Sequence, residues 1–212
     1  MAEYTAIESL RETEKLIIKQ KVELMEAFAQ AAANAIDMDG LGALGETANK
    51  YDVFTDDGGQ KFKVIESSEF CGFDGCIPTG RCCCRPNHKL QLHVYAPEYE
   101  TSQAIMFFDR PCKCGGCCSV CDICRQEMTV YTGASTGGEG GADPSKQMAY
   151  IKEPVLGGFF SPQLEVMERQ DGGNQIATIT ANGVCCIGGI CCDHTFMVLD
   201  AGGNEIGKIV KE

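Results

Sequence analysis

The sequence predicts a mainly β fold: an antiparallel β-barrel of two duplicated halves, preceded by one amphipathic helix. Three observations predict it. Short alternating apolar segments fill the chain after residue 50, Gly-containing turn clusters separate them, and the same order of segments recurs in both halves. Only the stretch from Tyr4 to about Ile36 carries a helical period instead.

That N-terminal stretch has no Gly or Pro, and Leu10, Ile17, Leu24, Phe28 and Ala31 or Ala32 fall on one helical face. Asp37-Met38-Asp39-Gly40 supplies the stop, since Gly40 can take the left-handed conformation that ends a helix. Strands are then predicted at Tyr51–Phe54, Phe62–Ile65, Leu90–Val94, Ile105–Phe108 and Met128–Tyr131. After the Gly-rich loop Gly133–Ser145 they resume at Leu164–Met167, Ile176–Ile179, Phe196–Leu199 and Ile206–Val210. An Asp-Gly-Gly turn opens each half, at Asp57-Gly58-Gly59 and Asp171-Gly172-Gly173, and a cysteine group with a histidine, His88 or His194, follows it. The chain accordingly divides into a helix and linker, 1–48, and a β domain, 49–212, with copies at about 51–132 and 148–212. The second copy stops where the first continues, so the expectation is an incomplete second half. Closing such a duplicated sheet into a barrel removes its exposed edges.

Composition narrows the function. A net charge of -12 argues against a nucleic-acid partner, which needs a surplus of Lys and Arg. No apolar run reaches the roughly 18 to 20 residues that span a bilayer, the N-terminus lacks a signal-peptide core, and it does not read Met-Gly for myristoylation. With three histidines, no nucleophile-elbow motif and no phosphate-cradling glycine loop, hydrolase and nucleotide chemistry have little basis.

The 15 cysteines gather in three groups, Cys71 to Cys84, Cys112 to Cys124 and Cys185 to Cys192, a bunching that suits a reducing compartment better than a disulfide framework. The outer two groups occupy equivalent places in the two halves and read as structure. The middle run supports two chemistries. Cys114-x2-Cys117 and Cys121-x2-Cys124 have the spacing of zinc or iron–sulfur ligand pairs. Exposed thiols beside Arg110, Lys113 and Arg125 equally suit S-acylation, and two or more acyl chains anchor a protein stably.

At this point the chain resembles a known family. The segments RPCKCGGCCSVCDICRQE, CCCRPNHKLQLHV, YIKEPVLGGFFSPQLEVME, NGVCCIGGICCDHTFMV and GNEIGKIVK, spread over roughly Leu16 to Lys211, resemble the phospholipid scramblase family. The resemblance implies a tubby-like barrel around a central C-terminal helix, and calcium-dependent, bidirectional movement of phospholipids between leaflets with no covalent catalysis. It also implies palmitoylation at Cys117, Cys118, Cys121 and Cys124, which would hold the chain at the cytosolic face of a membrane, the plasma membrane in the family's usual setting. The acidic calcium segment and the central helix have no counterpart in this sequence, and Asp37-Met38-Asp39 offers too few oxygen ligands to replace the calcium loop, so no calcium ligand is assigned. Weak or no scrambling by the 212-residue form is therefore expected. The resemblance implies membrane phospholipids as partners and leaves room for protein partners. Two alternatives stand beside this: a cysteine-rich metal-binding or redox interaction protein with zinc or an iron–sulfur cluster on Cys114, Cys117, Cys121 and Cys124, and a tubby-like module that binds lipid or protein without transport.

Overall fold

A computed structural model of the chain describes residues 8, 13–21, 49–67, 89–97, 104–111, 125–133, 143–155, 163–170, 172–181 and 195–211. Among them are eleven strands: β1 Leu16–Lys21, β2 Lys50–Thr55, β3 Gln60–Ser67, β4 Leu90–Tyr95, β5 Met106–Arg110, β6 Glu127–Thr132, β7 Gln147–Lys152, β8 Gln163–Met167, β9 Gln175–Ala181, β10 Thr195–Asp200 and β11 Glu205–Val210. One turn of 3-10 helix, Pro144–Lys146, precedes β7. The mainly β, antiparallel class read from the sequence is what the described residues contain. The chain divides into two units, Met1–Cys112 with Tyr131–Lys146, and Lys113–Val130 with Gln147–Glu212.

The helix expected from Tyr4 to Ile36 is corrected at its centre, where Leu16–Lys21 forms β1 and pairs antiparallel with β2, Ile17 opposite Phe54 and Lys19 opposite Asp52. Two β-branched residues lower helix propensity at this point, and pairing gives the alternate lysines specific partners. Lys19 Nζ lies 5.4 Å from the centre of the Phe54 ring, and Lys21 Nζ lies 2.7 Å from an Asp52 carboxylate oxygen. Tertiary pairing outweighs a helical period that a seven-residue spacing had suggested. Apart from residues 8 and 13–15, the remainder of that stretch lies outside the described residues, as does Asp37-Met38-Asp39.

In the first unit, β1 to β5 neighbour one another in chain order, all antiparallel. The register puts Val53, Phe62, Val64, Val94, Met106 and Phe108 on one face, and these pack into a core with Ala96 and Ile105. Alternation explains it: a strand with one buried face places every second residue inside. Phe107 points to the opposite face and is yet the most buried large side chain, only 1% exposed. It pairs directly with His93, ring centres 4.9 Å apart, and its ring lies 6.1 Å from that of Tyr131.

In the second unit, β7 to β11 form a meander of the same kind. β7 was not among the predicted strands, because Gln147-Met148-Ala149-Tyr150 alternates only weakly. One face gathers Ile151, Leu164, Val166, Ile179, Phe196 and Ile209. The other carries Lys152, Glu165, Thr178 and Lys208, with Lys152 Nζ 3.6 Å from the Glu165 carboxylate. Tyr150 is buried, and its hydroxyl donates to the Glu127 carboxylate. Burial, reinforced by that carboxylate, pushes the phenol above its usual range.

The hairpin turns show how far the repeat extends. After Thr55 the chain makes a three-residue turn closed by Thr55 N–H to the Gly59 carbonyl at 2.9 Å, with Gly58 at φ 83° and a register shift beside it. Asp200 to Asn204 repeats that construction, with the closing bond at 2.8 Å and Gly203 at φ 83°. This is the type I turn plus bulge that requires a left-handed residue at its third position. The turn containing Gly172 and Gly173 is longer, closed by Glu168 N–H to the Asn174 carbonyl at 3.0 Å. The two Asp-Gly-Gly triplets are thus alike in sequence but not in construction; the structural twin of 56–58 is 201–203.

Candidate functional site

All the candidate site residues, Cys114, Cys117, Cys118, Cys121 and Cys124, lie outside the described residues, as do His88, His194 and the outer cysteine groups. The described strands nevertheless fix where these segments are attached. In the first unit β3 ends at Ser67 opposite Gln91, and Leu90 at the start of β4 lies opposite Arg110 at the end of β5. Segments 68–88 and 112–124 therefore leave the same end of that sheet. In the second unit β9 ends at Ala181 opposite Phe196, while Glu153, just past β7, bonds its N–H to the Gln126 carbonyl at 2.8 Å. Gln126 N–H in turn donates to the Glu153 carboxylate at 3.2 Å. So the middle run enters the second unit at the end from which segment 182–194 departs. Antiparallel meanders send alternate connections to opposite ends. In each unit the cysteine-bearing ones share one end and the glycine turns occupy the other.

One basic flank of the middle run, Arg110, is engaged within the sheet. Arg110 shares a face with Glu66, two strands away. Burial pulls the guanidinium below its ordinary range, and the Glu66 charge opposes that shift. Glu66 is itself only 4% exposed and accepts 2.6 Å from Asn49 Nδ2, while Gln20 Nε2 donates to Asn49 Oδ1 at 2.8 Å. A buried carboxylate needs this kind of satisfaction, and Arg110 supplies the counter-charge. Arg110 thus serves the sheet. Among the described residues no group of three or more His, Cys, Asp or Glu is placed to hold a metal ion.

His93, within β4, is the one histidine among the described residues. Burial against Phe107 and Tyr95 lowers its imidazole pKa from the ordinary 6.5. A histidine depressed on folding binds a proton more weakly in the native than in the unfolded state. Its contribution is complete above about pH 6.5 and is lost as the pH falls through that value. The denaturation midpoint is expected to fall between about pH 7.5 and 5.5, and His93→Gln is expected to remove part of that slope. An unchanged slope in the variant would contradict the assignment.

Among the described residues no helix is long and apolar enough to cross a membrane. Comparison with known proteins completes the picture. The family model described as Scramblase matches residues 1–212. Over 97% of its length the chain is 23% identical to phospholipid scramblase 1 of Homo sapiens and of Mus musculus, covering 51% and 50% of those proteins. It is also 23% identical to phospholipid scramblase 2 of Bos taurus, covering 56%. The chain spans about half the length of the curated relatives it matches. No solved structure matches it. With its full length matched, and with the antiparallel sheets and segment order described above, the chain belongs to the scramblase family.

Proposed function

We propose that this chain acts on membrane phospholipids, promoting their movement between leaflets in both directions without an energy source or a covalent step. The observation that carries the reading is the match of the family along the whole chain, with relatives named phospholipid scramblases. Acyl groups on Cys117, Cys118, Cys121 and Cys124 hold the chain at the cytosolic face of the plasma membrane in this proposal, since one acyl chain anchors only marginally and several anchor stably. Calcium is proposed as the trigger, with no described residue assigned to it.

Reconstitution tests the proposal. The protein is bound to liposomes carrying a fluorescent phospholipid, and the fraction of label accessible from outside is followed over time, with and without calcium. Exchange between leaflets above the protein-free rate, slow for these 212 residues alone and raised by calcium, is the expected result. Bound protein that leaves the exchange rate at the protein-free value under both conditions would overturn it.

A further inference from the structure

A basic pocket lies on the first unit's sheet, on the face opposite the core. The register aligns Lys19, Asp52, Lys63 and Tyr95 in one row across four strands, with Lys21 and Lys50 opposite each other on the same face. Four lysines therefore face one aspartate, in a chain whose net charge is -12. Two of these lysines, Lys21 and Lys63, line a cavity of about 380 Å³ together with Asp52, Gln60, Tyr95 and, just past β4, Ala96 and Pro97. The one carboxylate is already engaged. One Asp52 oxygen is 2.7 Å from Lys21 Nζ, and the other accepts from Gln60 Nε2 at 3.0 Å. These bonds fix the ammonium and the amide at the pocket wall. Lys63, in the same row, has no acidic partner within ion-pair distance among the described residues.

A volume of this size suits one small head group, and the available groups are donors: two ammonium groups, a carboxamide and the Tyr95 hydroxyl. A compact dianion with several acceptor oxygens satisfies such a set best, because charge-assisted hydrogen bonds are the strong ones. An extended phosphate backbone is disfavoured by the acidity of the rest of the chain. We infer that the pocket of Lys21, Gln60, Lys63 and Tyr95 binds the phosphomonoester head group of an anionic membrane lipid. The choice of a lipid over a free phosphate ester rests on the proposed function; the phosphate chemistry rests on the pocket.

The full chain, produced without acylation so that anchoring does not mask the effect, is tested by flotation with vesicles. Phosphatidylcholine vesicles are compared with vesicles also containing phosphatidic acid, or phosphatidylserine at equal surface charge. Preferential binding to phosphatidic acid is expected. Lys63→Gln should weaken it about tenfold, the loss of one charge-assisted contact. Lys63→Arg should retain most of it, and Lys61→Gln, an equal charge change outside the pocket, should alter it less than about twofold. Thermal midpoints of the variants close to that of the parent chain establish that they fold. Equal weakening by Lys61→Gln and Lys63→Gln, or no preference over phosphatidylserine, overturns the site as diffuse surface charge. Binding of glycerol 3-phosphate, read from amide shifts at Lys63 and Tyr95, without vesicle binding overturns the lipid assignment. The two proposals fail separately: leaflet exchange with unaltered binding by Lys63→Gln sinks the pocket alone, and Lys63-dependent binding without leaflet exchange sinks the transport reading alone.

Discussion

A chain in which Cys117, Cys118, Cys121 and Cys124 are all serine is expected to leave membranes, its partitioning falling by more than about a hundredfold in cell fractions. Each buried methylene of an acyl chain contributes about 0.8 kcal/mol, so losing even one long chain outweighs any contact that a protein of net charge -12 makes with an anionic surface. Hydroxylamine-labile acyl groups should disappear in parallel. If the serine variant keeps its membrane fraction, and the parent chain retains stoichiometric zinc or iron after dialysis, the run is a metal site and the anchor lies elsewhere. The same four positions thus separate the two chemistries that their spacing allows.

Phe107→Ala is expected to cost about 3 to 5 kcal/mol of stability, the range for a large aromatic removed from a site that cannot collapse around the gap. The ring is almost wholly buried, pairs with His93 across the β4–β5 ladder and approaches Tyr131, so truncation strips contacts on several sides. Urea denaturation measures the loss as a lowered midpoint, with a thermal shift on the order of 10 °C. A change below about 1 kcal/mol would mean that neighbouring side chains fill the space. Phe107→Leu, which retains most of the volume, should lie between the two.

Strand positions were legible because alternation and turn chemistry are local. Asp57-Gly58-Gly59 announces a turn in the sequence, and Gly58 takes the left-handed conformation that the turn needs. β1 was not legible, since Leu16-Ile17-Ile18 fits a helical face as well as an edge strand, and only pairing with Val53, Phe54 and Thr55 decides between them. The basic pocket was equally hidden. Lys21 and Lys63 stand 42 positions apart in the chain, and a one-residue slip in either ladder would place them on opposite faces. A net charge of -12 argues against a nucleic-acid partner but does not reveal a local basic pocket, because a total says nothing about which residues a register brings together. For the cysteines the sequence supplied spacing. The strands add that each unit sends its cysteine-bearing connections to a single end.

The most direct test of the central claim is leaflet exchange measured with the acylated protein and the four-serine variant, each held on fluorescent-lipid vesicles at equal bound density. The account predicts calcium-stimulated exchange above the protein-free rate for both, because the acyl groups act as the anchor and binding is held equal. Exchange at the protein-free rate for both, despite equal binding, would contradict it.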